Sequence, residues 1–172
     1  MKSLRAYRGH AQVERQVLAI IQASDDIELV NEAIRTYRHI LEEEPFRDFA
    51  IRFLREDRQY LHFTRTLLEE LFELPPDPAS VNAAVEYLND GYSFEIRWLA
   101  FRLLRSNSQS DEWQSDFLKR YSDDPDPRIR FIVLFSTAGM PVTDRESFYN
   151  TRMLYEYDLR ILNQLEILLP ND

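Results

Sequence analysis

The sequence contains no cysteine and only three glycines among its 172 residues. The lack of cysteine excludes a disulfide framework, a thiolate metal site and a cysteine nucleophile, and it fits a reducing compartment. So little glycine argues against all-β folds. It also leaves no P-loop, dinucleotide-binding fingerprint or nucleophile elbow in the chain. We therefore predict that the protein is not an enzyme, and we assign it no catalytic residue, metal or cofactor.

Long apolar runs are also missing. No run approaches the roughly 20 residues that a membrane-spanning helix needs, and the basic N-terminus is not followed by a signal-type apolar region. The expectation is a cytoplasmic protein that does not partner a membrane.

Positive charge is scarce relative to negative charge. The chain has 21 lysines and arginines against 30 acidic residues, for a formal charge of -9. This excess argues against general affinity for nucleic acid and favours a basic protein as a charge-led partner. Solubility alone is the alternative explanation for such a charge. Only Lys2 and Lys119 are lysines, and arginine favours planar pairing with carboxylates.

What the sequence does contain is helical periodicity. In one segment Ile27, Val30, Ile34, Tyr37 and Leu41 follow one another at steps of three or four residues, the spacing of an amphipathic helix. Similar segments follow, separated by turn signals, and none has the pattern of a strand. The sequence predicts an all-α fold of about ten helices, forming a single domain over residues 1–172.

Two helix starts carry recognisable signals. Asp126 precedes Pro127, an arrangement that suits the cap and the first position of a helix. Thr143 stands three residues before Glu146, which is the spacing of a capping box. We expect Asp126 and Thr143 each to open a helix.

A short phrase recurs along the chain. Ile96-Arg97-Trp98 and Ile129-Arg130-Phe131 lie 33 residues apart, and Ile51-Arg52-Phe53 is a looser copy. A constant period over successive helix pairs is typical of a helical solenoid. The repeats are most regular over residues 78–140 or so.

These marks resemble HEAT repeats and the similar armadillo-type repeats, in which the second helix of a pair opens with an aspartate followed by an Ile-Arg or Val-Arg pair. Asp126 precedes Arg130 by four residues, whereas Ser93 replaces the aspartate before Arg97. The resemblance implies a right-handed α-α superhelix, a HEAT-like solenoid. It also implies a ladder between repeats formed by Asp48, Arg52, Arg97, Asp126 and Arg130.

The leading functional hypothesis is a protein–protein interaction module, and a sharper version is an acidic inhibitor or immunity-type protein that neutralises a basic partner. Residues 58–90 hold six acidic residues against two arginines, a net charge of −4. Such a surface attracts a cationic protein by electrostatic steering. The candidate binding residues are Glu69, Glu70, Glu73, Asp77, Glu86 and Asp90.

Two aromatic residues are further candidates. Trp98 and Phe101 lie off the apolar stripe of their predicted helix, so either one is a candidate anchor for a partner. A wide core face is the alternative explanation.

The last helix, predicted over residues 157–169, is more apolar than one buried stripe requires. The excess predicts a homodimer seam or a cap that packs back on the chain. The apolar residues of this region are Tyr155, Tyr157, Leu159, Ile161, Leu162, Leu165, Ile167, Leu168 and Leu169.

Arginines spaced three apart support a rival hypothesis. They would form an anion-binding groove, similar to that of the HEAT-like DNA glycosylases, if stacked repeats aligned them. Pairing with acidic residues of the same chain explains them as well. A homo-oligomeric scaffold is the third hypothesis. The arginine pairs are Arg35 with Arg38, Arg52 with Arg55, and Arg102 with Arg105.

Overall fold

The computed structural model describes residues 9–56, 61–107, 118–137 and 140–169. Within these ranges lie nine α-helices, one 3-10 helix and the helical residues 118–121, with no strand, so the all-α prediction is confirmed. The chain divides into two compact units, Met1–Asn107 and Ser108–Asp172, and each is described by itself. The single domain, the superhelical winding and the HEAT-like repeat stay predictions.

The described residues of the first unit, 9–56 and 61–107, form six α-helices and the 3-10 helix. Aspartates begin two of them: the Asp26 carboxylate accepts hydrogen bonds from the amides of Glu28 and Leu29, and Asp77 accepts one from Ala79. Such caps satisfy amides that have no partner within the helix. The helices are α1 (Ala11–Ala23), α2 (Ile27–Ile40), α3 (Glu43–Glu56), α4 (Leu61–Phe72), α5 (Pro78–Val85), the 3-10 helix (Glu86–Leu88) and α6 (Phe94–Asn107).

The core of the first unit lies between these helices. Helix α2 packs against α1 and α4, and α6 packs against α4 and α5. A hydrogen bond of 2.6 Å from the buried Tyr87 hydroxyl to the Leu54 carbonyl oxygen adds a polar link. The periodic apolar residues supply the buried contacts, among them Val30, Ile34, Leu67, Leu68, Ala100 and Leu104.

The second unit contains α7 (Pro127–Ser136), α8 (Val142–Tyr155) and α9 (Leu159–Leu168). Its core joins Leu134, Tyr149, Ile161 and Leu165, one or two from each helix. The hydroxyls of Thr137 and Tyr149 share a buried hydrogen bond of 2.6 Å. All three helices therefore contribute to one small apolar centre.

The two predicted helix starts in this unit have different outcomes. Asp126 caps α7 by accepting a hydrogen bond from the amide of Arg128, and Pro127 takes the first helical position, as predicted. The capping box at Thr143 is wrong, because α8 already begins at Val142 and Thr143 lies inside it. Pro141 precedes the helix with φ -51° and ψ 143°, outside helical geometry, and its φ is fixed by its ring. Helical geometry can therefore begin directly after the proline, without a side-chain cap.

None of the helices in the described ranges is long and apolar enough to cross a membrane.

Candidate protein-binding surface

A buried cluster of charges lies where α8 ends and α9 begins. The side chain of Glu156, the residue that follows α8, has no exposed surface. It accepts hydrogen bonds from Nε and Nη2 of Arg130 at 3.0 and 2.8 Å, and from the same two nitrogens of Arg152 at 3.2 Å each. Arg152 also donates to Asp123 through Nη1. Two arginines from α7 and α8 thus meet one carboxylate.

The same carboxylate holds the backbone of the turn. Glu156 Oε1 accepts hydrogen bonds from the amides of Tyr157 and Asp158, at 3.0 and 2.9 Å. Burial opposes ionisation of Glu156, but the hydrogen bonds from Arg130 and from these amides outweigh it and lower its pKa to about 2. The turn at residues 156–158 is therefore fixed by an ionised, fully bonded side chain.

Large apolar side chains project from this fixed turn. We define the α8–α9 ridge as Leu154, Tyr155, Tyr157 and Leu159, which are 78%, 71%, 73% and 73% exposed. The Tyr157 ring nevertheless has a partner within the unit, since its centroid lies 4.7 Å from Cζ of the buried Arg130. A guanidinium over an aromatic face is an attractive contact. The ridge side chains are therefore highly exposed, and one of their rings, that of Tyr157, packs on a buried arginine.

The charges next to the ridge are balanced within the chain. Asp158 caps α9 and pairs with Arg160 at 2.8 Å. The hydrogen bond from Arg160 lowers the pKa of Asp158 to about 2, so the pair is ionised at neutral pH.

Two of the predicted acidic binding residues have partners within the first unit, and a third is half-buried there. Glu69 pairs with Arg65 at 2.9 Å, and Asp77 caps α5 and lies 3.8 Å from Arg47. Burial raises the pKa of the half-buried Glu70, although His39, Arg35 and Arg38 of α2 oppose the shift. The structural roles of Glu69 and Asp77, and the partial burial of Glu70, reduce what these acids can offer a partner.

The remaining predicted acids are exposed: Glu73 follows α4, Glu86 begins the 3-10 helix, and Asp90 lies in the turn before α6. Their exposure suits contact with a partner. No described feature identifies that partner, so the acidic binding surface stays a prediction.

Phe101 and Trp98 stack on each other on α6, with ring centroids 6.1 Å apart and an interplanar angle of 15°. Phe101 is only 2% exposed, whereas Trp98 is half-buried. Phe101 as an exposed anchor for a partner is therefore wrong, because it belongs to the core of the first unit. Phe101 fits the alternative explanation, in which the helix buries a wide face in the core.

The residues of the predicted ladder differ in their environments. Arg97 is buried and donates from Nε to the Leu88 carbonyl oxygen at 3.0 Å, and Arg130 is buried in the charge cluster. Asp48 and Arg52 instead lie exposed in α3. Because α3 already begins at Glu43, Asp48 does not open a helix as the repeat pattern predicted.

The predicted arginine pairs have varied contacts. Arg102 stacks on Phe72 at 3.9 Å and Arg38 lies over Phe46 at 5.8 Å, each measured from Cζ to the ring centroid. Arg35 pairs with Glu32 at 3.5 Å. Arg52 and Arg55 are exposed on α3. In two of the three pairs, therefore, at least one arginine contacts an aromatic ring or an acidic side chain of the chain.

The sequence indicated part of the ridge and missed the cluster below it. Tyr155, Tyr157 and Leu159 belong to the apolar excess noted near the C-terminus, but Leu154 was not singled out. The spacing of Arg152 and Glu156 by four residues is the one local signal of the cluster.

In the described ranges, no group of three histidine, aspartate or glutamate side chains is placed to hold a metal ion. Comparisons of the chain with protein-family models, with curated protein sequences and with solved structures find no match.

Proposed function

We propose that the protein is a non-enzymatic protein-binding module and that it binds another polypeptide through the α8–α9 ridge. The observation that carries the proposal is the exposure of four large side chains, each above 70%, within six consecutive residues. Single exposed apolar side chains are ordinary on a protein surface, but a contiguous group marks an interaction site.

The composition of the ridge supports binding to a protein. Tyrosine is enriched in protein interfaces, where its ring contributes apolar area and its hydroxyl meets water at the rim. Tyr155 and Tyr157 supply this chemistry, and Leu154 and Leu159 flank them with aliphatic surface. A partner would bury all four against its own apolar surface.

The support beneath the ridge is a second reason. Glu156 fixes the turn through the amides of Tyr157 and Asp158, so the ridge is presented in one backbone conformation. Interfaces whose backbone changes little on binding are the common case.

An acidic inhibitor of a basic partner is the weaker candidate. Its support is the net charge of -9 and the exposure of Glu73, Glu86 and Asp90. What argues against it is that Glu69 already pairs with Arg65 and Asp77 already caps α5 within the first unit. Nucleic-acid binding has less support still, because Arg38 and Arg102 face aromatic rings of the chain.

Photocrosslinking in the native host tests the proposal. A photoreactive phenylalanine analogue replaces Tyr155 in the full chain, and a matched control carries it at Thr143, an exposed position of α8 about three turns before the ridge. We expect a discrete adduct from position 155, its loss when Leu159→Lys is added, and no such adduct from position 143. Mass spectrometry identifies the adduct. No ridge-dependent adduct at position 155 would refute the proposal.

A further inference from the structure

We infer that the occupant of the α8–α9 ridge is a second copy of this chain, so that the protein forms a symmetric homodimer. The inference rests on the proposed function, because it names the partner of the same surface. Three features of the second unit support it: the size of the ridge, the balance of the ion pairs around it and a further exposed apolar side chain on α9.

The apolar area of the ridge matches one side of an ordinary protein interface. A buried aromatic side chain covers about 150–250 Å² and an aliphatic one on the order of 100 Å². At exposures of 71–78%, the four ridge side chains offer roughly 400–500 Å² on that basis. A standard interface buries about 800 Å² per partner, of which roughly 60% is apolar. The ridge is therefore large enough for a stable contact with a copy of itself.

The charge around the ridge favours a neutral partner surface. The Arg130–Glu156, Arg152–Asp123 and Asp158–Arg160 pairs are all closed within the unit and sum to zero. A strongly basic partner would find no unbalanced negative charge among these groups. Two ridges can approach without like-charge repulsion from them, although the whole chain carries -9.

One further large apolar side chain is exposed on α9, although the exposed Asn163 and Glu166 lie between it and the ridge. Ile167 is 74% exposed and follows Leu159 by eight residues, about two turns further along α9. In a two-fold interface the same patch faces itself, so each copy contributes its ridge and adjoining α9 surface to one contact. A self-complementary apolar patch is what this arrangement needs.

Sedimentation of the purified full chain, from low micromolar to several hundred micromolar, tests the inference. We expect the mass to rise from 20.6 kDa to twice that value with concentration. The variant Leu154→Lys/Leu159→Lys should weaken dimerisation about 30-fold or more, because truncating or charging anchors at an interface centre has effects of this size. Since both side chains are above 70% exposed, the variant should keep its circular dichroism spectrum.

The matched control is Val142→Lys/Thr143→Lys, which adds the same charge at exposed positions about three turns before the ridge on α8. It should dimerise like the parent chain. Equal weakening in the control, or a dimer that the ridge lysines leave unchanged, would refute the ridge as the seam. A monomer at every concentration would refute the second copy as the occupant.

The photoreactive analogue at position 155, used with purified protein, separates this inference from the proposed function. An adduct of two identical chains supports both. An adduct in the host with a different protein, together with a monomer in sedimentation, keeps the proposed function and overturns the homodimer. No adduct in either setting overturns both.

Discussion

Glu156 and Arg130 face each other through two hydrogen bonds, at 3.0 and 2.8 Å, while their side chains are 0% and 2% exposed. The pair joins the first turn of α7 to the residue that follows α8, although 26 positions separate them in the chain. A buried pair of this kind has a large cost when one partner is removed, because the other charge is left without compensation.

Replacing Glu156 by glutamine should therefore destabilise the protein strongly. The change leaves the buried guanidinium of Arg130 without a counter-charge and leaves Arg152 with Asp123 alone, so we expect a loss of about 3–5 kcal/mol in the free energy of unfolding. Urea denaturation followed by circular dichroism measures it. The control Glu166→Gln removes an exposed carboxylate of α9 and should change stability by less than about 0.5 kcal/mol. Equal effects of the two variants would contradict a structural role for Glu156.

The same residue predicts a pH dependence. The pKa of Glu156 is lowered from 4.5 to about 2 in the folded chain, so its contribution to stability is fully present above pH 4.5 and is lost as the pH falls toward 2. Thermal midpoints of the parent chain and of Glu156→Gln, measured across this window, should converge as the pH decreases. A difference that stays constant down to pH 2 would contradict the assigned pKa.

Two substitutions of Asp77 test whether this residue acts as a helix cap rather than as a partner-binding residue. Its carboxylate accepts a hydrogen bond of 2.7 Å from the Ala79 amide at the start of α5. Asp77→Ala should lower stability by about 1 kcal/mol, whereas Asp77→Asn keeps a capping oxygen and should cost much less. Thermal unfolding compares the two variants. If both were equally destabilising, the 3.8 Å approach of Arg47 would outweigh the cap.

Phe101 should act as a core residue. Because it is 2% exposed, Phe101→Ala should reduce the free energy of unfolding by about 3–5 kcal/mol through the cavity it leaves. Trp98→Phe keeps a ring beside Phe101 at a half-buried position and is the milder comparison. Denaturant titration measures both. A Phe101→Ala variant as stable as the parent chain would return this residue to the list of candidate binding residues.

Helix content and several helix starts could be predicted from the sequence because their causes are local. The apolar steps from Ile27 onward predict α2, and the Asp126-Pro127 pair predicts the start of α7. The predicted start at Thr143 was wrong because two start signals lie within three residues of each other. The capping box places the cap at Thr143, whereas the helix begins directly after Pro141. Local sequence patterns do not determine which of two adjacent positions begins a helix.

The charge cluster and the assignment of exposed surfaces could not be predicted in the same way. Arg130 and Glu156 meet only after α7 and α8 have packed, and nothing in their sequence neighbourhoods selects one acid among many. For the same reason Glu69 and Glu73 look alike in sequence, although one pairs with Arg65 and the other is exposed. Which acids face a partner depends on tertiary packing rather than on composition.

If the α8–α9 ridge binds a partner as we propose, the stack of Tyr157 on Arg130 reduces the entropy lost on binding. An exposed side chain that is free to rotate loses about 0.5–1.5 kcal/mol of rotamer freedom when a partner immobilises it. The Tyr157 ring, 4.7 Å from the guanidinium of a buried arginine, is held before any partner arrives, so much of this ordering has already taken place during folding. The loss of entropy that usually opposes association is thus shifted into the folding of the second unit.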